Sequence, residues 1–179
     1  NMALADATKA KQRDGRVQGE VQWAEGKIQG AFQSGGNSHI DLGSAGGFDH
    51  ADAFSFGAWI KPTRAAEGAV LARMNDKQGH RGYDLFLAQG KVAVHLIHQW
   101  PNNAIKVITK RSVVRSDRWQ HVLATYDGSG KAAGVRIYVD GKLEPVDIER
   151  NKLKGTIRTA KPLNVGRRSE GSVFSGLVD

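Results

Sequence analysis

Six histidines, eighteen acids and four tryptophans are the side chains here that could do chemistry, and their spacing excludes most of it. Hydrolysis of a glycoside needs two carboxylates about 5–5.5 Å or about 6.5–9.5 Å apart, hence acids at alternate positions on one strand face. The densest acidic stretch, Glu144-Pro145-Val146-Asp147-Ile148-Glu149, puts Asp147 and Glu149 on one face. It follows a hairpin signal, so a solvated polar face is the expected reading. His39, His50, His80, His95, His98 and His121 form no His-Glu-x-x-His. His95 and His98 differ by three, which on a strand sends them to opposite faces. Asp49-His50-Ala51-Asp52 has ligand-like residues without EF-hand spacing. No Gly-x-Ser-x-Gly elbow and no Walker loop is present. The chain is expected not to be an enzyme.

Binding chemistry is better represented. In the loop His98-Gln99-Trp100-Pro101-Asn102-Asn103, an indole beside two amides suits a sugar: the ring stacks on an apolar sugar face and the amides bond hydroxyls. The other reading is that Trp100 folds back over the core edge, since a Trp rarely stays fully exposed. Lys106, Lys110, Arg111, Arg115 and Arg118 crowd one stretch, and Arg150, Lys152, Lys154 and Arg158 another. Net charge is +8, and it is uneven. Residues 1–100 carry 11 Lys/Arg against 10 Asp/Glu, whereas residues 101–179 carry 15 against 8. Such a half attracts polyanions, or is simply a solvated surface. Guanidinium matches sulfate and carboxylate bidentately, so any glycan partner is expected to be anionic. Nucleic acid is disfavoured, because neither a recognition helix nor an RNP-type aromatic motif appears.

Short strands must position these groups. Apolar residues alternate with period two in 17–23, 27–33, 38–42, 53–61, 69–74, 83–88, 91–99, 104–111, 119–126, 134–139, 142–148, 162–166 and 173–178. Phe54, Phe56, Ala58 and Ile60 share one face of the strongest strand. Its other face holds Ala53, Ser55, Gly57 and Trp59, so a central strand is predicted. Gln89-Gly90, Asp127-Gly128 and Asp140-Gly141 are hairpin signals, because a type I′ turn needs positive φ at both central residues. Twenty-two Gly against four Pro agrees with many such turns. Trp59 and Trp119 are expected to anchor the two sheets from the core. His121 reads as a framework histidine. Residues 1–16 are polar and unpatterned, giving an expected division into an arm (1–16) and one domain (17–179). At this length a core forms without disulfide or metal, and there is no cysteine. No apolar run reaches the roughly 18 residues of a membrane span. A chain opening Asn1-Met2-Ala3 is expected to be an excerpt of a multidomain protein.

Five segments carry a family resemblance. Phe54-Ser55-Phe56-Gly57-Ala58-Trp59-Ile60-Lys61-Pro62 is the first. Trp119-Gln120-His121-Val122 through Thr125-Tyr126-Asp127-Gly128 is the second, and Val135-Arg136-Ile137-Tyr138-Val139-Asp140-Gly141 the third. Gly82-Tyr83-Asp84-Leu85 and Leu163-Asn164-Val165-Gly166-Arg167 stand in matching order. Together, over about Trp23 to Asp179, they resemble the concanavalin A-like superfamily, in its bacterial laminin G-like (LamG) branch. The resemblance implies an all-β fold: a two-sheet antiparallel jelly-roll sandwich. Its glycosidases carry Glu-x-Asp-x-x-Glu, which this chain lacks.

The resemblance further implies a non-catalytic, lectin-like module for a glycan or protein ligand, in a periplasmic or extracellular protein. The alternatives are a glycoside hydrolase or lyase of the same fold, and a structural interaction domain without a sugar ligand. It places ligands on a sheet face or its rim, with Arg73, Tyr83, His95 and Tyr138 facing outward, beside His98, Trp100, Asn102 and Asn103. No cofactor is required. A structural Ca²⁺ would use Asp179, where the family's pattern continues into a closing strand that this sequence leaves uncertain.

Overall fold

The computed structural model describes residues 14–63 and 67–179. Most of the expected arm, residues 1–13, lies outside them. Strands are numbered along the chain. One sheet has eight: β1 (Arg16–Gln18), β4 (His39–Asp41), β14 (Asn164–Val165), β6 (Gly68–Asn75), β7 (Arg81–Ala88), β8 (Lys91–Gln99), β9 (Asn103–Thr109) and β13 (Val146–Asn151), in that spatial order. The other has seven, in the order β12 (Lys142–Glu144), β11 (Val135–Val139), β10 (Gln120–Tyr126), β5 (Phe54–Pro62), β15 (Gly176–Val178), β3 (Gly30–Ser34) and β2 (Gln22–Glu25). All ladders are antiparallel, and a 3-10 turn at Ala132–Gly134 is the single helical element among the described residues. The fold is the expected jelly-roll sandwich.

Two expected strands each divide between the sheets. Residues 17–23 become β1 and β2, parted after Gly19. Residues 142–148 become β12 and β13, parted at Pro145, which has no N–H to continue a ladder. The expected strand 173–178 is shortened to β15, which pairs with β3 on one side and β5 on the other. Asp140-Gly141 (φ 50° and 78°) and Gln89-Gly90 (φ 53° and 75°) are two-residue turns. Asp127-Gly128 instead opens a longer loop, since β10 and β11 pair only from Tyr126 and Val135.

Alternation fills the space between the sheets. Tyr83, Leu85 and Leu87 of β7, Val92, Val94 and Leu96 of β8, and Ile105 and Val107 of β9 face Phe54 and Ile60 of β5, Val122 and Ala124 of β10, and Ile137 of β11. Each large side chain buried this way contributes roughly 1.5–3 kcal/mol. The aromatic centre is Phe54, stacked on Phe48 at 4.4 Å and met by Tyr83 at 5.3 Å and Tyr126 at 5.6 Å.

The tryptophan expectation fails. Trp59 and Trp119 are half-buried and lie outside the core. Phe54 and Ile60 point inward, so the odd position Trp59 lies on the outer face, beside the His121 ring at 5.3 Å and under the Lys27 ammonium at 5.5 Å. Phe, Tyr and branched aliphatic side chains do the packing expected of the indoles. His121 is held through its backbone, whose N–H donates to Asp140 Oδ1 at 2.8 Å.

Candidate functional site

The inward set on β7 and β8 leaves Asp84, Phe86, His95 and Ile97 on the outer face of the eight-stranded sheet. Asp84 and His95 are cross-strand partners, as are His95 and Lys106, then Lys106 and Arg150. A row of charge and imidazole thus crosses four strands. Its centre is sealed. Asp84 is fully buried, with Oδ1 2.7 Å from His95 Nδ1 and Oδ2 accepting from Arg168 Nε (2.7 Å) and Nη2 (2.6 Å). Burial opposes charge on this carboxyl, but the Arg168 guanidinium and the His95 ring outweigh it and hold the group below the usual carboxylate range. A carboxylate only accepts, so Nδ1 of His95 carries the proton and Nε2 is left for a ligand.

Above this pair lies a cleft of about 190 Å³, walled by His80, His95, Ile97, Trp100 and Arg168. Trp100 packs on Met74, Ile97 and Ala104, a small apolar cluster outside the main core. Its ring meets His95 edge-on at 5.8 Å and lies under the Arg150 guanidinium at 5.5 Å. Trp100 therefore folds back, but over the outer face and not the core edge, and becomes a wall. Arg168 lies over Phe86 at 5.0 Å. Asp76 joins the segment after β14 to the opposite wall: Oδ1 meets His80 Nδ1 at 3.1 Å, and Oδ2 accepts from Ser169 Oγ (3.1 Å) and Glu170 N–H (2.9 Å). Lys106 pairs with Glu149 at 2.8 Å and, through that hydrogen bond, lowers the Glu149 carboxyl's affinity for protons.

Of the sequence-predicted residues, His95 and Trp100 meet here, and the others are dispersed. Tyr83 is a correction: it points into the core, 1% exposed, and its hydroxyl donates to Gly46 O at 2.8 Å. Its period-two partners Leu85 and Leu87 face inward, so it must as well. Arg73 is a second correction. Paired with Tyr83, it turns inward and ties two loops, donating to Ala45 O (2.6 Å) and Thr159 O (3.2 Å).

Tyr138 sits on the outer face of the other sheet, because its neighbours Ile137 and Val139 are buried. It cannot share a small ligand with His95. Asn103 spends both amide functions on Lys154, at 2.6 Å each. His98 bonds Thr156 O at 2.8 Å and lines a separate hollow with Arg81 and Gln99. Asn102 is exposed at the loop tip.

Asp179, the expected calcium ligand, directly follows β15. Its carboxylate accepts from Ile28 N–H at 2.7 Å, and among the described residues no three His, Asp or Glu gather as metal ligands. Asp147 and Glu149 lie near Lys110 and Lys106, at 3.9 and 2.8 Å, as a paired polar edge.

Asp84, Arg168 and His80 were missed. The first had a signal: the Gln89-Gly90 turn pairs Ala88 with Lys91, and four residues back on each strand come Asp84 and His95. An acid opposite a histidine on an otherwise apolar face is a built pair. Arg168 and His80 arrive from loops, and nothing local announces them.

The model of the concanavalin A-like lectin/glucanases superfamily matches residues 34–179. No curated protein sequence matches. Among solved structures, the binding domain of Paraclostridial Mosquitocidal Protein 1 is similar at TM-score 0.70 and 16% identity, over 97% of this chain and 44% of that one. Domain 4 of AbnA, a GH43 extracellular arabinanase from Geobacillus stearothermophilus in complex with arabinotriose, is similar at TM-score 0.59 and 18% identity, over 98% and 84%. The binding domain of Botulinum neurotoxin DC, in complex with rat synaptotagmin II, is similar at 0.60 and 15%, over 90% and 40%. The chain thus spans less than half of the two toxin chains. At these identities the likeness is one of fold.

Proposed function

The chain belongs to the concanavalin A-like lectin/glucanases superfamily, and from that premise we propose that it is a non-catalytic carbohydrate-binding module of a larger exported protein. One observation carries the reading: Trp100 is fixed as a wall of a small cleft whose polar walls, His80, His95 and Arg168, are each hydrogen-bonded to an acid behind them. An indole edge or face against the C–H groups of a pyranose supplies apolar contact. His95 Nε2 and the outer N–H groups of Arg168 supply an acceptor and donors for hydroxyls. Solved structures of similar fold include two toxin binding domains and an arabinanase domain in complex with arabinotriose, which supports the reading. No helix among the described residues is long and apolar enough to cross a membrane.

Catalysis has little to work with here. Asp84, behind the His95 and Arg168 walls, is buried and has both oxygens engaged, so it can neither donate a proton nor attack a sugar. A glycan array with wild type and Trp100→Ala tests the reading. Binding by wild type that the variant loses supports it. Sugar release from any polysaccharide would restore the hydrolase reading, and a null array with capture of a defined protein ligand would replace it with a protein-interaction domain.

A further inference from the structure

The cleft's polar walls share one property: each has its inner side neutralised by a buried or half-buried acid and its outer side unassigned. Arg168 gives Nε and Nη2 to Asp84, leaving Nη1. His95 gives Nδ1 to Asp84, and His80 gives Nδ1 to Asp76, leaving Nε2 on both rings. Neither acid lines the cleft. A second guanidinium, Arg150, is exposed and lies over the Trp100 ring at 5.5 Å. Resting on the carbohydrate-binding reading above, we propose that the cleft seats an acidic sugar, whose carboxylate or sulfate lies against Arg168 while its hydroxyls donate to Nε2 of His80 and His95 and its ring packs on Trp100.

The placement of charge favours this ligand. Asp84, Asp76 and Glu149 are each engaged, by Arg168 and His95, by His80, Ser169 and Glu170 N–H, and by Lys106, and none of them lines the cleft, whereas Arg168 does. Glu170 faces Lys77 at 3.4 Å and Lys161 at 3.8 Å. An anion gains from the Arg168 charge, and a neutral sugar does not. A divalent cation is disfavoured at the two Nε2 atoms by the adjoining Arg168.

Calorimetric titration tests the proposal with three trisaccharides of equal length: a uronic acid oligomer, a sulfated neutral oligomer and the uncharged parent. The proposal expects an acidic probe to bind roughly tenfold or more tighter than the parent. The carboxylated and sulfated arms show which group is seated. His80→Gln, at a half-exposed position that leaves Asp84 and Arg168 intact, is expected to weaken binding of the acidic probe several-fold. A neutral parent bound equally well, but lost in Trp100→Ala, would overturn the acidic-sugar proposal and leave the carbohydrate reading standing. Acidic-sugar binding that neither His80→Gln nor Trp100→Ala alters would remove it from this cleft. Oligoglutamate bound tighter than every sugar would overturn both readings.

Discussion

His95 Nδ1 lies 2.7 Å from Asp84 Oδ1 across the β7–β8 ladder, and Arg168 closes the other carboxylate oxygen from a loop 84 residues further on. This arrangement fixes one wall of the cleft from inside the sheet's outer layer. It also ties the segment after β14 to the middle of the eight-stranded sheet.

Breaking that triad is expected to cost stability. Asp84→Asn leaves a guanidinium with little solvent and no counter-charge, and removing one member of a buried pair costs about 3–5 kcal/mol. Arg168→Met strands the fully buried Asp84 in the same way. Denaturant unfolding of both single variants and the double variant checks this. The double is expected to lose clearly less than the two singles added together, because the second change removes the charge the first had stranded.

Tyr83→Phe is expected to lower stability by about 1 kcal/mol, the usual value of a buried hydrogen bond, by freeing Gly46 O. It is expected to leave ligand affinity unchanged, since the ring is in the core. Thermal unfolding and a binding titration on the same sample separate the two effects.

Asp49 is expected to contribute to acid sensitivity. Burial works against its ionisation, but hydrogen bonds from the His50 N–H and ring, Ile157 N–H and Thr156 hydroxyl hold it at about 2. A depressed carboxyl stabilises the fold above its unfolded value of 3.8, and that contribution disappears as pH falls toward about 2. It amounts to about 2 kcal/mol. Asp49→Asn is expected to lower stability at neutral pH by a comparable amount. Its stability gap from wild type is expected to close between about pH 4 and pH 2 in acid-dependent unfolding.

Much of this was legible in the residues. Alternation located the strands, and the turns at Gln89-Gly90 and Asp140-Gly141 needed only their positive-φ residues to be read. Period two also fixes faces, and it places Tyr83 with Leu85 and Leu87. The family resemblance pointed it outward, and the period was the better guide. Trp59 was misplaced because both faces of β5 look apolar in sequence, whereas Gly57 and Trp59 face outward. Asp84 opposite His95 could be read from the hairpin register, although Asp84 was missed. Arg168, His80 and the final lie of Trp100 depend on loops crossing from distant strands, which no local pattern determines.

The central claim is that a glycan sits on the outer face of the eight-stranded sheet, at Trp100. The most direct measurement is affinity for the best array ligand in Trp100→Ala and in Tyr138→Ala, the latter on the opposite face. The account predicts a loss of roughly tenfold or more for the first and none for the second. Unchanged affinity in Trp100→Ala, with a loss in Tyr138→Ala, would contradict it.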